Sequence, residues 1–151
     1  MQYWLLKSEP GEFSIDDLAR VGEQVWDGVR NYQVRNSFRD VMKAGDRALF
    51  YHSSCEAVGA VGEMEIVSPA EVDPTQFEKK SKYYDPKSTK ENPRWLGPKV
   101  RYVAKFNKLV PLSVIRADER FGDMVLLKRG NRLSAFLITK AEYQALVKMG
   151  K

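Results

Sequence analysis

A series of short strand-like runs, each closed by a turn signal, constrains this chain most. Tyr3 to Leu6 is apolar and stops at the Pro10-Gly11 break. Asp46 to Ser53 (DRALFYHS) reads as a strand. Val58 to Val67 sets Val58, Ala60, Gly62, Met64 and Ile66 on one face, with Glu63 and Glu65 on the other. Ser54-Cys55-Glu56 between them has hairpin length, and Gly59 and Gly62 suit a bulge or a close ligand approach. Val100, Tyr102, Ala104 and Phe106 alternate with polar residues, and Leu133 to Ile138 is a last strand. Together they predict an α+β fold of about six short strands in a small closed or nearly closed barrel.

Helices are expected around its periphery. Ser14 caps one, with Asp16 and Asp17 in the first turn and Ile15 and Leu18 inward. Val34, Phe38, Val41 and Met42 form a helical stripe that Gly45 stops. Asn31, Arg35 and Arg39 make a polar row on the same helix. Leu112–Ala117 and Asp123–Leu127 are short helical candidates. Thr139 and Glu142 form a capping box for the last helix, which Tyr143, Leu146 and Val147 pack down. No linker or repeat interrupts the chain, so residues 1–151 read as one domain, expected to be a monomer.

Several classes are excluded. No apolar run approaches the roughly 18 residues that span a membrane. The N-terminus lacks a basic region before its apolar run, so it reads as a strand and not a signal peptide. Cys55 is the only cysteine, which rules out an internal disulfide and points to a reducing, cytoplasmic setting. His52 is the only histidine, too few ligands for a Cys/His zinc site, so no metal is expected. No G-x-G-x-x-G follows a strand and no P-loop is present, so no cofactor is expected. His52 inside a strand reads as structural or as a binding contact, and Cys55 lies too near it in an extended chain to imply a catalytic pair. With no convincing catalytic constellation, the chain is expected not to be an enzyme.

Charge is unevenly spread. Residues 1–78 carry 7 Lys/Arg against 14 Asp/Glu, whereas residues 79–108 carry 10 against 2. Such asymmetry suggests a face turned to a polyanion. The basic part falls in the irregular segment Asp73 to Pro98, where Tyr83, Tyr84 and Trp95 interleave with lysines. A polar loop of that length with aromatics reads as functional rather than disordered.

Trp26-Asp27-Gly28-Val29-Arg30-Asn31-Tyr32-Gln33-Val34-Arg35-Asn36 concentrates side chains that gain little from burial unless paired. An aromatic ring stacks on a base, Asn reads a donor and acceptor edge, and Arg meets phosphate. Trp26, at the lip of an Asp-Gly turn, suits either a ligand or the core, whereas Trp4 reads as core. Trp95 either pins the basic loop or walls a cage.

The blocks YWLLKSEP (3–10), FSIDDL (13–18), WDGVRNYQVRN (26–36), AGDRALFYHS (44–53), YYDPKS (83–88), NPRW (92–95) and RLS (132–134) follow one another along nearly the whole chain. In these blocks the sequence closely resembles the EVE domain family. Val34 stands where that family usually has alanine. The resemblance implies a PUA-like mixed-strand pseudo-barrel with kinship to YTH domains, readers of N6-methyladenine in RNA. It implies a nucleic-acid partner: a reader that accepts a flipped modified base, notably a methylated cytosine in DNA. A modified base in tRNA or other RNA is the alternative, and an enzyme acting on modified nucleosides or bases is a further one. By analogy with the YTH pattern, the implied base pocket comprises Lys7, Ser8, Trp26, Asn31, Ser53 and Trp95. Arg30, Arg35, Arg39, Lys79, Lys80 and Lys82 are then expected to meet the backbone.

Overall fold

The structure is a computed structural model that describes residues 1–151. The elements run β1 (Tyr3–Ser8), α1 (Ile15–Val21), β2 (Glu23–Val25), α2 (Tyr32–Asp40), β3 (Arg47–His52), β4 (Gly59–Val72), β5 (Leu96–Pro111), α3 (Leu112–Ala117), β6 (Ala135–Ile138) and α4 (Lys140–Met149). They build one six-stranded sheet in the order β2-β5-β4-β3-β1-β6. β1 and β3 are parallel and the other pairs antiparallel. The sheet is mixed, as expected for a PUA-like α+β pseudo-barrel, and it stays open, with β2 and β6 as its edges.

Alternation along β1 divides the interior in two. Trp4 and Leu6 join Ala48, Phe50, Met64, Ile66 and Val100 beneath α1 and α2. Leu5 joins Leu49, Tyr51, Phe106 and Val110 beneath α3 and α4. The expected single face of β4 does not hold along its length. Ala60 belongs to one core, whereas Val61, Met64 and Ile66 belong to the other. Register shifts beside Gly62 on both neighbouring strands account for the switch. Gly59 and Gly62 serve close approach to protein rather than to a ligand: a Cβ at Gly59 would run into the Val110 carbonyl, and one at Gly62 into the Ala104 carbonyl and the Ile15 side chain.

Local chemistry sets the helix starts. Ser14 and Asp17 form a reciprocal capping box at α1, and Thr139 and Glu142 form another at α4. His52 Nε2 accepts from the Ile15 N–H, also at the start of α1. α2 stops at Asp40, ahead of Gly45, with Val41 as its C-cap. Val34, Phe38 and Met42 are buried, but Val41 is exposed and leaves the predicted stripe.

The segment between β4 and β5 is short 3-10 helix (Pro74–Phe77) and turns, knitted around Gln76. Gln76 is fully buried; its Nε2 donates to the Asp73 and Trp95 carbonyls, and its Oε1 accepts from Ser88 Oγ, Arg94 N and Trp95 N. That network satisfies buried backbone groups that no ladder reaches. The last residues of the segment, from Leu96, already belong to β5.

Candidate base-binding cleft

The carboxyl ends of the parallel pair β1 and β3 open into a cleft of about 670 Å³. Lys7 and Ser8 come from β1, and Ser53 follows β3. Backbone bonds hold this floor together: Ser53 N–H donates to the Ser8 carbonyl at 3.0 Å, and Lys7 N–H to the Ser134 carbonyl at 2.8 Å. Ser8 Oγ donates to the Phe13 carbonyl at 2.7 Å, which folds the β1–α1 turn over one side.

Trp26 forms a wall. It is 5% exposed, with its ring edge-on to Phe50 at 5.1 Å and to Phe13 at 6.5 Å. It therefore both packs the core and faces the cleft. Its backbone N–H donates to the Pro98 carbonyl, and Gly97 has no Cβ to strike the Trp26 carbonyl. Gly28 turns the chain at φ +81°, with the Tyr83 ring against it where a side chain would collide. Tyr83 also lines the cleft and donates to Glu12 at 2.7 Å; Lys82 pairs with the same carboxylate. Burial and the Glu12 bond push the Tyr83 hydroxyl up to about 12, keeping it a donor at neutral pH.

Of the six residues in the expected pocket, Lys7, Ser8, Trp26 and Ser53 line this cleft. The other two do not line it. The Asn31 side chain accepts from Val34 N–H at 3.1 Å and caps α2, so its oxygen is used for folding. Trp95 is buried, stacks on Tyr32 at 4.7 Å and donates to Asp85 at 2.8 Å, pinning the loop instead of walling the cleft.

The expected backbone cations divide similarly. Arg30 lies between the rings of Trp95 and Tyr83, at 5.3 and 5.5 Å. It donates to Asp73, Thr75, and the carbonyls of Val29 and Tyr83. Arg35 covers Tyr32 at 4.6 Å and donates to the Arg94 carbonyl and Asn36. Both make structural contacts within the protein, and neither lines the cleft. Arg39 is exposed and pairs with Asp40. Lys79 and Lys80 are exposed, and Lys82 borders the cleft.

Asp27, Tyr83 and Arg132 are among the other lining residues, and the sequence reading did not place them there. Each fell inside a quoted block, but Asp27 read as a turn residue and Tyr83 as a stacking or loop-stapling side chain. Arg132 sits in the loop before β6 without an ion pair. Lys7 also lacks a carboxylate partner; burial lowers its pKa, and its ammonium lies 5.8 Å over the Phe136 ring. The cleft thus offers a flat ring, small hydroxyls, the carboxylates of Glu9, Glu12 and Asp27, and the cations of Lys7, Lys82 and Arg132.

A model of the EVE domain matches residues 2–149. The chain belongs to the EVE domain family. Human thymocyte nuclear protein 1 is 39% identical over 166 residues, covering 97% of this EVE chain and 73% of the human protein. Human THYN1, solved in complex with DNA containing 5-methylcytosine, superposes with a TM-score of 0.90 at 37% identity, covering 100% and 98% of the two chains. The YTH domain of Mmi1, solved with RNA, gives a TM-score of 0.53 at 10% identity over 99% and 77%; that likeness is one of fold alone. No helix of this EVE domain is long and apolar enough to cross a membrane.

Proposed function

We propose that this EVE domain reads a modified base in DNA, taking a flipped, 5-methylcytosine-type base against Trp26. The observation that carries the reading is the cleft itself: Lys7, Ser8, Trp26 and Ser53 converge there in a fold shared with human THYN1, whose solved complex holds 5-methylcytosine DNA. An apolar wall of Trp26, Phe13 and Leu133 suits a ring with an added methyl. Unstacking and unpairing a base costs a few kcal/mol, which contacts in such a pocket must offset. Lys82 and Arg132, which line the cleft, and the exposed Lys79 and Lys80 would meet the flanking phosphates, with Lys7 deeper in the cleft. These contacts add affinity without choosing sequence.

The role is binding rather than catalysis. His52 uses Nε2 to accept from Ile15, and burial lowers its pKa, so it acts as a neutral structural acceptor. The free thiol of Cys55 suits a reducing compartment such as the cytoplasm.

Competition binding with matched DNA and RNA oligomers, each with and without one 5-methylcytosine, tests the reading. Tighter binding to the methylated DNA is expected. Equal affinity for every oligomer would overturn the proposal, and preference for the RNA set would move it to RNA.

A further inference from the structure

Asp27 follows Trp26 directly and lines the same cleft, yet its carboxylate has no hydrogen bond and no ion pair. Of the neighbouring acids two are engaged, while Glu9 and Glu78 are exposed and, like Asp27, unpaired. Asp73 accepts from Arg30, Gly28 and Thr75, and Glu12 is held by Lys82 and Tyr83. The backbone around Asp27 is fixed: Trp26 N–H is bound to Pro98, Gly28 N–H to Asp73, and Gly28 carries the turn. A carboxylate is therefore presented beside the flat wall on a rigid support.

An ionised carboxylate can only accept hydrogen bonds. At a base edge it suits an exocyclic amino group, as in the pairing of Asp or Glu with cytosine, and it opposes a carbonyl oxygen. We infer that the Asp27 carboxylate accepts from the exocyclic amino group of a base held against Trp26, so that the cleft admits amino-bearing pyrimidines and rejects their oxo counterparts. This rests on the cleft being a base pocket and states what that pocket selects. The charge balance around the group agrees. Partial burial in the cleft raises its pKa to about 6, with Asp73, Glu12 and Glu78 acting in the same direction and Arg30 against them. The group is ionised at neutral pH and open to solvent, so an amino donor from a ligand can take the place of water without displacing a protein partner.

5-Methylcytosine and thymine carry the same ring methyl and differ in an amino group against a carbonyl. They separate amino reading from methyl reading. The probe is a set of duplexes in which the tested base faces an abasic site, which makes extrusion comparable for 5-methylcytosine, cytosine and thymine. The wild-type protein should bind the 5-methylcytosine duplex about 10-fold more tightly than the thymine duplex. Asp27→Asn retains the shape but can turn an amide N–H toward a carbonyl, so it should narrow that ratio to about twofold. Asp27→Ala should narrow it too, with thermal unfolding showing that each variant is folded.

Equal wild-type affinity for 5-methylcytosine and thymine, with cytosine weaker than both, would overturn the Asp27 inference and leave the methyl-reading pocket standing. So would an unchanged ratio in the folded Asp27→Asn protein. No preference for 5-methylcytosine over cytosine would overturn the pocket reading itself. The wild-type measurements depend on no variant folding.

Discussion

Arg30 Nη1 lies 2.9 Å from Asp73 Oδ2, joining two stretches 43 residues apart. Asp73 is 1% exposed at its side chain and Arg30 22%. The pair ties the turn after Trp26 to the start of the long basic segment, so the arginine of the most nucleotide-like stretch supports the cleft from behind.

Removing one partner of such a pair leaves an uncompensated buried charge. Arg30→Ala should lower stability by about 3–5 kcal/mol in urea unfolding. Arg39→Ala removes only an exposed contact to its neighbour Asp40, and its unfolding midpoint should match the parent. An Arg30→Ala protein with parental stability and weakened DNA binding would return Arg30 to the phosphate contacts.

Trp26 packs in the core and lines the cleft, and two substitutions separate the two. Trp26→Ala should cost about 3–5 kcal/mol through the cavity left beside Phe13 and Phe50. Trp26→Phe retains an aromatic ring there and should fold, with reduced preference for the modified base. Parental base preference in a folded Trp26→Ala protein would remove Trp26 from the pocket.

The rim cations should appear in the salt dependence of DNA binding. Arg132→Ala should weaken binding to modified and unmodified duplexes alike and reduce the slope of log affinity against log salt by about 0.9. Replacing Lys79, Lys80 and Lys82 together with Glu should flatten the slope further. An unchanged slope would make that loop a solvated surface.

The pH dependence of stability carries two opposite signs. Asp27 has its carboxyl raised to about 6 in the fold, so its contribution is fully present below its ordinary value near 3.8 and is lost as pH rises through about 6. The stability of Asp27→Asn relative to the parent should therefore be greater at pH 8 than at pH 4. His52 is lowered by burial, with Lys105 adding to the effect and Asp16 opposing it. Its contribution is fully present above about 6.5 and is lost as pH falls through the lowered value. His52→Gln should flatten that acid limb in denaturant titrations at fixed temperature.

What the sequence disclosed follows the range of each interaction. Capping at Ser14 and Thr139 depends on residues three apart and was readable, whereas the division of β1 between two cores was not, because its run is apolar throughout. β2 is three residues long and exists through pairing with β5, so no local pattern announces it. The far ends of β4 and β5 lie beyond register shifts that interrupt alternation. Asn31 was ambiguous because the same oxygen that suits a base edge suits a helix cap, and the start of α2 claimed it. The use of Arg30 depended on Asp73, and that of Trp95 on Tyr32, partners remote in the chain. Lys7, Ser8, Trp26 and Ser53 were legible as a set only through the resemblance.

The bond from Lys7 N–H to the Ser134 carbonyl has a consequence for the order of assembly. One rim of the cleft is supplied near the beginning of the chain and another by Arg132 to Ser134, close to its end. A ribosome-bound chain that has not released its final strand has no complete cleft to offer. A fragment cut before residue 130 lacks Arg132 to Ser134 and should not bind the methylated duplex even where its helices have formed.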